Sequence, residues 1–181
     1  MKIGFDLDGV IIDHGALKLE LAKANGFSLM LEHTSSEIMK TMLPSDKYLA
    51  IQLSIYNDPD NPSPLMVGVL DILELLQKKE IPFFLISRRK NVPVINKWFQ
   101  DRGLSKYFTS ENSFFVATKE EKDKVAKKLG ITHYIDDEVS VLEKLVSVNH
   151  KFLFDQFGVF PKSDLYTKIS SWDEIKKQLL F

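Results

Sequence analysis

Two apolar runs in this chain end in carboxylates. Phe5-Asp6-Leu7-Asp8-Gly9-Val10 sets Asp6 and Asp8 two positions apart at the end of a short buried run, and His133-Tyr134-Ile135-Asp136-Asp137-Glu138 ends in an adjacent acidic pair. A carboxylate at the mouth of an apolar strand is costly to desolvate unless it holds a cation or takes part in a reaction. Side chains alternate along a strand, so Asp6 and Asp8 fall on one side of the chain, and Gly9 lets the backbone turn away. Each pair also has a plainer reading. Asp6 and Asp8 can cap a local turn, and Asp136 and Asp137 can cap a helix beginning near Val139. One aspartate would suffice for that helix cap. Two acidic strand ends in one sheet, with no basic residue beside either, imply a cation between them, and oxygen-only ligation favours Mg²⁺ over zinc.

Two further elements bear on the same chemistry. The run Phe83-Phe84-Leu85-Ile86-Ser87-Arg88-Arg89 closes on a hydroxyl and two guanidinium groups. Ser87, with nearby backbone N–H groups, could bind a phosphate oxygen; the alternative is an ordinary serine turn beside exposed arginines. The segment Thr118-Lys119-Glu120-Glu121-Lys122-Asp123-Lys124 opens a helix rich in lysine. One of these lysines could offset a phosphate and an aspartate, while the rest form a solvated face with pairs such as Glu120 to Lys124.

These residues need a scaffold, and the hydropathy pattern supplies one. Short apolar runs at 2–7, 81–87, 113–117, 133–135 and 151–155 read as buried strands, alternating with helical patterns at 65–79, 92–103, 120–129 and 139–146. A last amphipathic helix, 172–180, opens with Asp173 and Glu174 in its first turn. Such alternation predicts an α/β fold, a three-layer Rossmann-like parallel sheet. Residues 13–64 break the pattern, with helical stretches at 16–25, 35–41 and 46–56 and no strand. They read as a small helical cap inserted after the first strand, over a core of residues 1–12 and 65–181. The proline-rich return at 58–64 is placed as a hinge region.

Composition narrows the function classes. Among 181 residues, 24 Lys and Arg face 25 Asp and Glu, 44% are hydrophobic, and there is no cysteine. The near-zero charge lacks the electrostatic footprint of a nucleic-acid binder. The absence of cysteine excludes disulfide scaffolds, thiolate metal sites and cysteine nucleophiles, and fits a reducing compartment. Asp6 and Asp8 interrupt the apolar start where a secretory signal would need continuity, and no run approaches the roughly 18 apolar residues of a membrane span. A cytoplasmic protein with no membrane and no nucleic-acid polymer among its partners is expected.

The ordered set of an apolar strand with Asp-x-Asp-Gly, a strand ending in Ser, a lysine, and a strand ending in Asp-Asp resembles the motifs of the haloacid dehalogenase superfamily over nearly the whole chain. The insertion falls in the position of that superfamily's C1-type cap. The resemblance implies that Asp6 is the nucleophile attacking phosphorus and that Asp8 is the general acid and then base. It also implies that Ser87 holds a phosphoryl oxygen, and that Lys122, with Lys119 as the alternative, is the motif lysine. Mg²⁺ would be held by Asp6, Asp137 directly, Asp136 as its neighbour, and Asp8 through its backbone carbonyl. The first and last motif strands would be adjacent, at the point where strand order reverses.

The expected activity is hydrolysis of a small phosphorylated metabolite. The short helical cap, the Ile135-Asp136-Asp137 ending and Ser171-Trp172 are similar to the C-type 5′-nucleotidase group, which points to a nucleoside 5′-monophosphate; sugar phosphates and other small phosphoesters are the alternative. His14, Lys18, His33 and Tyr48 from the insertion, with Arg88 and Arg89 from the core, are the candidate substrate contacts. Phosphoryl transfer to another acceptor and a non-catalytic metal-binding or interaction module are the rival readings. The oligomeric state stays open.

Overall fold

The computed structural model describes residues 1–180. Six parallel strands form one sheet: β1 (Ile3–Phe5), β2 (Phe83–Ser87), β3 (Ser113–Phe115), β4 (His133–Asp136), β5 (His150–Phe154) and β6 (Thr167–Ile169), in the order β3-β2-β1-β4-β5-β6. The sheet winds outward in both directions from β1, which pairs with β2 (Phe5 opposite Leu85) and with β4 (Phe5 opposite Ile135). The carboxyl ends of β1, β2 and β4 therefore converge at the switch point where open α/β sheets bind ligands.

Period-two alternation assigns the faces. Ile3, Phe5, Leu85 and Ile135 pack with α4 (Val69–Lys78), α5 (Val92–Asp101) and α8 (Trp172–Leu180), through Ile72, Trp98 and Trp172 among others. Ile86, Tyr134 and Leu153 face the other way, toward α6 (Lys119–Leu129) and α7 (Val139–Leu142). Gly4 separates the two layers by necessity: a Cβ there would come within 2.5 Å of the Tyr134 ring. Trp172 also reaches over the sheet, donating from Nε1 to the Val10 carbonyl at 2.8 Å and lying 5.2 Å from the Phe5 ring, so the last helix pins the turn that carries Asp8 and Gly9.

Between β1 and α4 the chain forms α1 (Gly15–Ala24), a 3-10 turn (Leu31–His33), α2 (Ser36–Met42) and α3 (Ser45–Asn57) around their own small core of Ala22, Met39, Leu43, Ile51 and Ile55. The return segment is bonded to the core. Asn61 and Ser63 are buried, Trp98 Nε1 donates to the Asp58 carbonyl at 2.9 Å, and Arg102 bonds the carbonyls of Ser63 and Asn61.

The structure corrects the sequence reading in three places. A sixth strand, β6, lies at the sheet edge; its residues Thr167 and Lys168 stay partly or wholly exposed, so it carries no apolar run. The helix expected from residue 65 begins at Val69, after Gly68 in a left-handed conformation. The helix expected over 139–146 ends at Leu142, beyond which tighter turns deliver Leu145 and Val148 to the core. No described helix is long and apolar enough to cross a membrane.

Candidate active site

The site begins where β1 stops. The Asp6 amide still bonds the Ile135 carbonyl at 3.0 Å, and then Leu7 accepts from both Ile11 and Ile12 as the chain folds into a turn. Gly9 is required in that turn twice over. Its φ is 75°, and a Cβ would stand 2.3 Å from Asp137 Oδ2. Asp6 and Asp8 border one cavity of about 210 Å³, as their spacing predicts, but they take different partners.

Asp6 meets the lysine. Lys122 is buried on α6, with Nζ 2.7 Å from Asp6 Oδ1 and 2.8 Å from Asp136 Oδ2. Burial alone would push this amine down, but the two carboxylates outweigh it and keep it firmly charged. Lys119 points elsewhere, to Ser140 and to Glu138 at 2.8 Å. Of the two lysines weighed from the sequence, Lys122 is the one brought to Asp6.

Asp8 meets a fork. Arg89 donates from Nε to Oδ2 at 2.6 Å and from Nη2 to Oδ1 at 2.5 Å, a bidentate contact, while His14 Nε2 lies 2.8 Å from Oδ1. Burial would raise the Asp8 carboxyl, yet Arg89 and then His14 hold it well below the usual carboxylate range. Burial lowers His14, whose other ring nitrogen is 2.7 Å from Ser63 Oγ. The guanidinium of Arg89 in turn lies over two rings, 3.5 Å from the Tyr56 ring centre and 4.6 Å from that of Trp98.

The acidic pair at the end of β4 behaves unlike a helix cap. The first N–H groups of α7, at Val139 and Ser140, are taken by Glu37 of α2, at 3.0 and 2.9 Å. Asp136 accepts from the Glu138 amide at 3.0 Å and from Lys122. Among the described residues none donates a hydrogen bond to Asp137. Burial, and then the charges of Asp136, Glu138 and Asp6, push its carboxyl well up, against a weaker pull from Lys18. Ligand atoms of Asp6, Asp136 and Asp137 all lie within 4.8 Å of one another. Three oxygen donors around one uncompensated, nearly buried carboxylate fit a hard divalent cation. The Asp8 side chain is outside this group and could contribute only through its backbone.

The remaining sequence candidates divide. Ser87, at the end of β2, is buried at the cavity, its Oγ 3.4 Å from the Arg89 amide. Arg88 borders the cavity and pairs with Glu138 at 2.7 Å; Tyr48 borders it too, with a hydroxyl that burial, then Glu138, pushes up to about 12. Lys18 is buried just outside, bonding the Thr34 carbonyl at 2.9 Å and Ser36 Oγ at 3.2 Å. His33 is not brought to the site; its ring accepts from the Met30 amide. Sequence reasoning missed Ser36, Gln52, Tyr56 and Glu138 in the cavity wall. The spacing Tyr48, Gln52, Tyr56 was the available signal, since every fourth residue shares a helix face.

No family model and no curated protein matches the chain. Solved structures do share its fold. A haloacid dehalogenase superfamily hydrolase from Ehrlichia chaffeensis superposes with a TM-score of 0.64 at 14% identity, over 98% of this chain and 94% of that one. A hydrolase of the same family from Deinococcus radiodurans, solved with bound phosphate and sodium, gives 0.67 at 16% identity, over 98% and 94%. An L-2-haloacid dehalogenase gives 0.64 at 9% identity, over 99% and 98%. The likeness is one of fold, and the chemistry has to be argued from the residues.

Proposed function

We propose that this chain, built on the fold of the haloacid dehalogenase superfamily, is a Mg²⁺-dependent phosphatase of small phosphomonoesters that works through an aspartyl phosphate at Asp6. The observation that carries the reading is the placement of Asp6. Its Oδ1 lies 2.7 Å from a buried ammonium, and the residue offers an oxygen within 4.8 Å of one from each of Asp136 and Asp137, at a cavity that also holds Ser87.

In the first half-reaction an Asp6 carboxylate oxygen forms a bond to phosphorus while the ester P–O bond breaks, and the leaving alkoxide takes up a proton. Lys122 and Ser87 orient the phosphoryl oxygens, and Lys122 offsets their charge. In the second, water attacks the acyl phosphate, Asp8 accepts its proton, and Asp6 and inorganic phosphate are released. Ionised Asp8 is ready for the second step as it stands. To donate the proton of the first step it must be protonated, which requires its two-point contact with Arg89 to loosen when substrate arrives. A Mg²⁺ ion held by Asp6, Asp137, Asp136 and the Asp8 backbone carbonyl would neutralise negative charge between phosphate and carboxylates.

Residues 13–64 serve as a cap of the C1 type over the core of residues 1–12 and 65–181. The cavity, about 210 Å³, has room for the phosphate and the atoms next to it. A nucleoside 5′-monophosphate would extend into the adjoining groove past Lys40, Thr41 and Lys119; a sugar phosphate would not need it. The lack of cysteine and a net charge near zero fit a cytoplasmic enzyme of small metabolites.

The test is phosphate release from a panel of small phosphomonoesters, nucleoside monophosphates included, with Mg²⁺ and with EDTA, for wild type and Asp6→Asn. Release is expected only with Mg²⁺ and with Asp6 intact. Equal release by Asp6→Asn removes the nucleophile assignment.

A further inference from the structure

Helix α3 lays Tyr48, Gln52 and Tyr56 along one wall of the cavity, four residues apart. Gln52, between the two rings, is only 5% exposed, and neither its Oε1 nor its Nε2 has a hydrogen-bond partner. Facing the same cavity, Arg89 is 4% exposed; its Nε and Nη2 are committed to Asp8, while Nη1 is buried without a partner. Of the five buried side-chain polar atoms left unsatisfied among the described residues, three belong to these two side chains. Buried polar groups are normally paired, so two side chains with orphaned atoms in the wall of one cavity point to a ligand that supplies the missing partners.

The orphans specify those partners. Oε1 needs a donor, while Nε2 and Nη1 need acceptors. An apolar group would leave all three unpaired. A carboxylate would suit the two donors but bring no donor for Oε1. A metal ion would suit Oε1 but leave both donors without an acceptor. A neutral hydroxyl donates and accepts at once. We propose that Gln52, assisted by Arg89 Nη1, determines specificity by reading hydroxyl groups on the alcohol side of the substrate, so that the enzyme acts on phosphoesters of polyhydroxylated alcohols rather than of apolar ones. This rests on the phosphomonoester reading above and adds the leaving-group chemistry to it. A site built to pair a hydroxyl rejects the analogue that lacks it, because its own groups are then stranded.

Binding to Asp6→Asn tests this without turnover. Calorimetry compares ribose 5-phosphate with cyclopentylmethyl phosphate, a ring of the same size without hydroxyls, and glycerol phosphate with propyl phosphate. The hydroxylated member of each pair is expected to bind at least about tenfold tighter. Adding Gln52→Leu should shrink that ratio to about twofold by weakening the hydroxylated ester while leaving the apolar one unchanged. It should also raise the melting temperature, since the stranded amide is gone; Gln52→Met is the second variant of similar size. A preference that survives both substitutions overturns the proposal, as does the absence of any preference or of any binding at millimolar ester. If Gln52-dependent selectivity appears while wild type releases no phosphate from these esters, the phosphatase reading fails and the recognition stands. Phosphate release with selectivity indifferent to Gln52 means the reverse.

Discussion

Replacing Lys122 with Met should expose how the site balances its charge. The ammonium is 1% exposed and sits 2.7 Å from Asp6 and 2.8 Å from Asp136, with Asp137 in the same group. At an effective dielectric of about 20, each contact is worth about 6 kcal/mol before solvation. Desolvating the ions takes back most of that gain. What the substitution reads is therefore the cost of stranding carboxylates that have lost their counter-charge, about 3–5 kcal/mol. At about 2–4 °C per kcal/mol for a chain of this size, melting should fall by about 6–20 °C at about pH 7.5 in EDTA.

Two controls separate this from a general packing loss. Lys119→Met removes a more exposed amine, 26% accessible, and should stay within about 1 kcal/mol of wild type. Near about pH 5 the stranded carboxylates protonate more readily, so the gap between Lys122→Met and wild type should narrow. Urea unfolding at both pH values gives the free energies directly. A Lys122→Met protein within about 1 kcal/mol of wild type at about pH 7.5 would refute the reasoning, because Asp6 and Asp136 would then not depend on that ammonium.

Two further outcomes follow from the same geometry. Gly9→Ala and Gly26→Ala both force alanine into a left-handed conformation, but only at Gly9 does the new Cβ meet a side chain, Asp137 Oδ2 at 2.3 Å, whereas at Gly26 nothing lies within 4 Å. Gly26→Ala should cost about 1–2 kcal/mol by urea unfolding and Gly9→Ala clearly more, with weaker Mg²⁺ affinity besides; equal costs would mean that Asp137 does not need that space. The second concerns pH. The Asp137 carboxyl is raised in the folded state, so the metal-free fold binds the extra proton and loses stability as pH climbs above the ordinary carboxylate range of about 4. A cation competes with that proton, so the rise in melting temperature on adding Mg²⁺ should grow between about pH 5 and pH 8. A shift as large at the lower pH would argue against Asp137 as a ligand.

What the sequence made legible was local. An apolar run that stops on an acid can be read in six residues, and Asp6, Asp136 and Asp137 did converge because β1 and β4 are neighbours in the sheet. Ser87 followed for the same reason, at the end of β2. The missed features depend on distance along the chain or on a pattern too plain to notice. Arg89 was one of two adjacent arginines, and nothing local distinguishes the one that grips Asp8, 81 residues away, from the one that pairs with Glu138. Strand β6 has only Ile169 buried, too little for an apolar signal. Gln52 stands between Ile51 and Ile55 in a helical stretch, where a polar residue reads as an ordinary amphipathic position until burial shows that it has no partner.

The insertion bears on the chemistry more directly than a cover would. Glu37, on α2, takes the two N–H groups that open α7, across about a hundred residues of chain. A free helix N-terminus there would favour capping by the acids just before it, and Asp137 would then be an ordinary cap. Because Glu37 already fills that role, Asp137 is left facing Gly9 and Asp6 without a hydrogen-bond donor among the described residues, and the plainer reading of the acidic pair loses its ground. His14, just before α1, bonds Asp8 in the same way, and Tyr56 of α3 lies over the guanidinium that holds Asp8 ionised. Displacing the insertion would therefore uncap α7 and alter the charge balance at Asp8 together. Any motion that admits substrate by that route is coupled electrostatically to the two carboxylates the proposed reaction needs, which sequence motifs confined to the core had no means of revealing.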